Sequence, residues 1–203
     1  MHIPDGFLSP GVTISTGAIS AGILAVSLKR VNQTIEPQQI PLMGVLASFA
    51  FLIQLFSFPV GPGTSVHLSG ALLVAILLGP LSGFIIMSVS LIAMALLFQH
   101  GGIFSLGANI LNIAGVGCFL GYGLFKITPG RTLSIVMAGL ITAITAAGLM
   151  ALELHLSDML DLSLGLKSML TIYGSAGLIE GIATMLIVQF VQRVKPEILR
   201  SEQ

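Results

Sequence analysis

Residues 68–98 read LSGALLVAILLGPLSGFIIMSVSLIAMALLF, and the way this stretch divides decides the fold. It holds no charged residue, and only Gly79-Pro80 interrupts it. A hydrocarbon core of roughly 30 Å takes about 20 helical residues, so 68–79 alone is short for a full span. As one bent helix the stretch crosses a membrane once. As two segments it crosses twice, and every later element changes side. Lys and Arg gather on the cytoplasmic side of membrane proteins, and that bias arbitrates. With two segments, Lys29, Arg30, Lys126, Arg131, Arg193, Lys195 and Arg200 share one side and only Lys167 lies opposite. With one, Lys126 and Arg131 are parted from Lys29 and Arg30. The two-segment reading follows.

Working outward, the same punctuation gives about seven spans: 9–28, 41–58, 68–79, 81–98, 105–125, 132–152 and 170–192. The apolar runs are continuous rather than alternating, which predicts helices, and in lipid a helix satisfies its own backbone. Composition agrees. Of 203 residues 55% are hydrophobic and 8% charged, with a mean hydropathy of +1.03; a soluble domain carries about 25% charge. The expectation is an all-α integral protein of the cell membrane, a single transmembrane domain over 1–203. An odd number of spans puts the N-terminus outside and the C-terminus in the cytoplasm. The first span is expected to be retained, because Met1–Pro10 has no basic residue and Lys29-Arg30 follow the apolar core, the reverse of a cleavable signal.

Several function classes drop out. Eight basic residues balance eight acidic ones, so there is no basic footprint for nucleic acid. A single cysteine, Cys118, excludes a disulfide framework and a C-x-x-C site. No G-x-x-x-x-G-K-[ST] occurs, so any ATP hydrolysis belongs to a partner. Intramembrane enzymes fit poorly: Leu68-Ser69-Gly70 after His67 is not a protease G-x-S-G, and Glu153-Leu-His155 lacks the E-x-x-H spacing of a di-metal centre. Glu180 is the one acid expected near mid-span, which makes it a functional candidate by default. Hydrogen bonds to Asn109, Asn112 or Thr184 are the structural alternative.

The topology collects all four histidines, His2, His67, His100 and His155, at outer ends, with Asp5, Glu153, Asp158 and Asp161. His2 stands apart. Met1-His2 at a free N-terminus places the α-amine, the His2 amide nitrogen and the imidazole Nδ1 in succession. Binding through all three closes a five- and a six-membered ring in one plane, an arrangement that suits Ni(II) or Cu(II). A fourth nitrogen is available from His67, which ends the run Phe58-Pro59-Val60-Gly61-Pro62-Gly63-Thr64-Ser65-Val66-His67. Two prolines and two glycines predict a turn there, and non-helical backbone at membrane depth lines a cavity or is buried in protein. The run leads into the short third segment, where a transporter's site is expected. Thr64, Ser65 and Ser69 are placed to cap that helix or orient the ring. Asn109 and Asn112, three residues apart, form either support beneath the site or ordinary interhelical hydrogen bonds.

The opening Met-His-Ile-Pro-Asp-Gly-Phe-Leu-Ser-Pro, the loop Phe58–His67 with Leu68-Ser69-Gly70, and Phe98-Gln99-His100-Gly101-Gly102 with Leu106-Gly107-Ala108-Asn109 resemble the NikM/CbiM family. These are nickel- and cobalt-binding S components of energy-coupling factor (ECF) transporters. The resemblance runs through nearly the whole chain. It implies a six-helix S-component core over 41–193, preceded by a metal-chelating tail and an extra helix in 1–30. It implies a square-planar site for Ni(II) or Co(II) made by the Met1 amine, the His2 amide and imidazole, and the His67 imidazole, with Ser65, Ser69, Asn109 and His100 around it. Partners are then a transmembrane coupling subunit and two ATPases, with an accessory small membrane subunit as a further candidate. S components often dock through Ala-x-x-x-Ala on the first core helix; here Gly44, Ala47 and Ser48 give a small-residue face but not that motif. The alternative function is a self-sufficient secondary transporter of a small solute, which the scarcity of intramembrane charge disfavours.

Overall fold

The computed structural model describes residues 2–61, 64–127 and 132–200. The fold is an all-α integral membrane bundle: α1 (Pro10–Thr34), α2 (Gln39–Leu55), α3 (Ala71–Phe98), α4 (Leu106–Ile127), α5 (Thr132–His155) and α6 (Leu162–Val194), with a final turn, α7 (Glu197–Arg200). Five of these are long and apolar enough to cross a membrane, and α2 is a shorter apolar helix. Between α2 and α3 the predicted turn is a β-hairpin, β1 (Ser57–Gly61) against β2 (Thr64–His67), with Ser57 opposite His67 at its base. The hairpin pairs its own backbone groups, the same requirement that makes the rest of the chain helical.

The predicted division of 68–98 is present inside α3. Leu78 (φ −129°) and Gly79 (φ +77°) leave the helical region just ahead of Pro80. In a continuous helix, residues eight apart are about 12 Å apart along the axis. A Cβ built on Gly83 would instead lie 3.1 Å from the Cα of Ala75. The chain therefore reverses at Leu78-Gly79, and Ala71–Leu77 is a short buried segment lying against the helix that follows Pro80. Ala71 accepts a hydrogen bond from Cys118, near the middle of α4, so this segment begins at mid-depth and covers half the bundle.

The bundle has two chemically distinct ends. Residues 2–9, 99–105 and 155–161 meet at one, linked by bonds from Asp5 to 103–105 and from Ser9 to Ser157. At the other, Glu36, Gln39, Leu78, Lys195 and Ile198 line one pocket, and Gln189 reaches Thr132. Lys29, Arg30, Lys126 and Arg193 belong to the helix ends on this second side. Arg131 lies outside the described residues.

Helix α1 buries Thr16, Ser20, Ser27 and Val31 and exposes Ile14, Ile19, Val26 and Leu28. Lipid tails are as apolar as leucine, so membrane helices meet through small and polar faces. Ser20 accordingly donates to the Gly107 carbonyl at 2.7 Å, which fixes α1 against the start of α4. Ser9 caps α1 ahead of Pro10.

The reversal is testable. Gly83→Leu would drive a side chain into the Ala75 backbone and Cys118, at a cost of about 1–3 kcal/mol. Its unfolding midpoint in detergent is expected to fall by several degrees, whereas Gly123→Leu, with open space around it, stays near wild type. Equal midpoints would contradict the fold-back.

Candidate metal centre

The tail preceding α1 turns into the bundle. Ile3 is 2% exposed and is held by reciprocal bonds with Asn109: its N–H donates to Oδ1 at 2.8 Å, and Nδ2 donates to its carbonyl at 3.1 Å. The Gly102 N–H donates to the same carbonyl at 3.0 Å. Ser105 donates to the Pro4 carbonyl at 3.0 Å. Asp5 then accepts from the N–H groups of Ile103, Phe104 and Ser105 at 2.8–3.1 Å, a carboxylate that gathers the amides of the turn leading into α4. Gly101 (φ +84°) and Gly102 make room: a side chain at Gly101 would meet His2 and Asn109, and one at Gly102 would overlap Asp5.

So seated, His2 faces His67. His2 Nδ1 lies 3.0 Å from His67 Nε2. His67 Nδ1 is 3.3 Å from the Leu68 carbonyl, so that nitrogen carries a proton and donates it. Nε2 consequently presents its lone pair, and His2 Nδ1–H donates to it. A metal ion taking the place of that shared proton would meet both lone pairs. Donors adjacent in a square plane stand about 2.8 Å apart for metal–nitrogen bonds of about 2 Å, close to the observed separation. Burial is the main cause that lowers the His67 pKa from 6.5 to about 3, and it holds His2 lower still. Both rings are thus neutral at ordinary pH, as ligands must be.

His100 joins them. Its ring centroid is 4.5 Å from that of His2 and 5.7 Å from that of His67, and the three can place donor atoms within 4.8 Å of one another. His155 does not: it is exposed and sits 3.2 Å from the Leu160 carbonyl. Met1 lies outside the described residues, as does the side chain of Ser65.

The remaining candidates have other partners. His67 ends a strand rather than starting a helix, and Ser69 turns to Glu180, donating to it at 2.5 Å. Glu180 also accepts from the Ser69 and Gly70 amides, so this mid-span acid caps the short buried segment of α3 instead of reaching Asn109, Asn112 or Thr184. A membrane interior offers no water to those amides, which is why a carboxylate is placed there. Asn112 donates to Glu153 at 2.6 Å, and Glu153 is buried in the last turn of α5. Gly44 and Ser48 face outward on α2, with Ala47 partly buried against its neighbours.

Three histidines whose donor atoms come within reach of one another at one end of a membrane bundle define a class, a polytopic membrane protein with a candidate transition-metal site. The chain belongs to the family described as the cobalt uptake substrate-specific transmembrane region, which it matches over residues 2–198. It is similar to a probable fused nickel transport protein, LarMN, of Lactiplantibacillus plantarum: 34% identity, over 97% of this chain and 66% of that protein. It is likewise similar to the fused nickel transport protein NikMN of Rhodobacter capsulatus, 34% identical over 98% of this chain and 64% of that protein. The chain thus spans about two thirds of these fused relatives. Among solved structures, one described as a truncated transition metal transporter superposes with a TM-score of 0.88 at 33% identity, covering 95% of this chain and 99% of that one.

Two outcomes follow for the tail, read from a nitroxide on Phe7→Cys. Asn109→Ala removes both Asn109–Ile3 side-chain bonds and is expected to loosen the tail by about 1–3 kcal/mol, seen as a mobile spectrum; an unchanged line shape would contradict the seat described. Acidification should act in the same direction. The His67 pKa is lowered on burial, so the undocked state binds more protons as pH falls. Docking is strongest above pH 6.5 and weakens progressively towards about pH 3. A tail that loosens on raising the pH would contradict this.

Proposed function

We propose that this chain is the substrate-binding membrane subunit of an ATP-driven ECF importer for transition-metal ions, taking Ni(II) in preference to Co(II). The metal is cargo, held at the extracytoplasmic face in a square of four nitrogens. These are the Met1 amine, the His2 amide and Nδ1, and His67 Nε2. The observation that carries the reading is the 3.0 Å approach of His2 Nδ1 to His67 Nε2. Those two nitrogens are the ones that an N-terminal Met-His chelate leaves to be joined. Nitrogen ligands in a square plane favour nickel, and nickel is the metal named for the LarMN and NikMN relatives.

Transport by this subunit needs partners. Energy comes from two ATPases acting through a transmembrane coupling subunit, with an accessory small membrane subunit as a further component. Gly44, Ala47 and Ser48 are the proposed contact for the coupling subunit, since Gly44 has open space around it and small residues let helices approach closely. The tail covers the bound ion, and docking tilts the subunit to carry the ion across. The chain itself is not an enzyme. Glu180, the carboxyl a proton-coupled carrier would use, is committed to three hydrogen bonds.

Titration of the purified chain with Ni(II) tests the proposal. One ion per chain is expected, in a yellow diamagnetic complex lost both in His67→Ala and on adding one residue before Met1. Tight binding that survives the added residue would overturn the N-terminal chelate.

A further inference from the structure

We propose that His100 is a capture ligand: a half-buried imidazole at the mouth of the site that takes an arriving divalent transition-metal cation from water and passes it to the His2–His67 pair. The inference rests on the metal-binding reading above and assigns the route by which the ion is loaded.

The two inner imidazoles cannot receive an ion directly. His67 is buried, with Nδ1 directed at the Leu68 carbonyl and Nε2 at His2. His2 is engaged on the same contact, and its Nε2 is enclosed in protein. An ion can reach them only by opening their mutual hydrogen bond. The chelate also cannot start at the backbone, because an amide nitrogen keeps its proton until a metal is already anchored beside it. A partly exposed imidazole beside them offers the ion a first hold.

His100 is placed to do so. It follows the last turn of α3, between Gln99 (φ +53°) and Gly101 (φ +84°), two left-handed residues that swing the chain over the tail. Its N–H donates to the Met94 carbonyl at 3.2 Å, and Gly102, two residues on, holds Ile3. The backbone of His100 is therefore registered to the tail, while the residue stays partly exposed. Two nitrogens on one ion can be at most about 4 Å apart for bonds of about 2 Å. Donor atoms of the three rings already lie within 4.8 Å, so an adjustment of under about 1 Å lets one ion bridge His100 and an inner imidazole. Transfer is then stepwise ligand exchange. Water leaves as imidazole nitrogen binds, and the protons of the α-ammonium, the His2 amide and His2 Nδ1–H pass to solvent. No electrons change hands.

Stopped-flow mixing of Ni(II) with wild type, His100→Ala and His100→Gln separates this role from a structural one. Both variants are expected to lose at least tenfold in association rate. An unchanged association rate, or weaker binding carried wholly by faster dissociation, would overturn the proposal, the latter by making His100 a permanent ligand. A second arm needs no N-terminal chelate. The chain extended by one residue before Met1 is titrated with Co(II), where three imidazoles are expected to give the intense visible bands of a four-coordinate ion, lost on His100→Ala. Bands that are absent, or that survive the substitution, would overturn it. A wild-type chain that binds no nickel defeats the preceding reading, and the cobalt arm still decides this one.

Discussion

Inserting a polar tail into an apolar bundle requires that every backbone group it brings be matched, and this requirement organises one whole end of the molecule. Asn109 serves as a surrogate strand for Ile3, offering one acceptor and one donor where a sheet neighbour would. Asp5 turns the transaction round, giving the amides of the turn leading into α4 a carboxylate from the tail. A buried unpaired amide or carbonyl costs about 1–3 kcal/mol, so the seat works only as a set. The close approach of His2 to His67 is a consequence of it. Ile3 cannot be held by Asn109 without delivering the preceding residue to the base of the hairpin.

The same constraint governs the irregular backbone between α2 and α3. The hairpin of β1 and β2 and the segment Leu68–Gly70 are non-helical, so their amides lack the partners a helix supplies. The hairpin pairs with itself, and Glu180 collects the amides of Ser69 and Gly70. His67 sits between these two solutions, one strand residue from the break. Its ring position is thus set by structure on both sides, the rigidity that the proposed ligand role requires.

Much of this was legible in the residues, for reasons that can be named. The division of 68–98 followed from Gly79-Pro80 and from the sidedness of Lys and Arg, and Gly83 packed on Ala75 is its physical expression. His2 and His67 were legible because covalent geometry makes Met-His distinctive and because Pro and Gly mark a break. What eluded the sequence is long-range pairing among polar residues. Nothing local distinguishes Glu180 bound to Ser69 from Glu180 bound to Asn112, and both arrangements satisfy the same need. Glu153, expected at an outer end, lies inside α5, which continues to His155, beyond the expected end at 152. The glycines after His100 held an available signal: two in succession mark a close backbone approach, and the approaching chain is the tail.

The central claim is that the tail and the hairpin complete one four-nitrogen square around the cargo ion. X-ray absorption at the nickel edge of the loaded protein addresses it most directly. The account expects a first shell of four nitrogens with no sulfur or solvent oxygen, and the sharp pre-edge transition of a square plane. A six-coordinate shell containing oxygen would contradict it, because a square of four nitrogens leaves no solvent oxygen in the first shell.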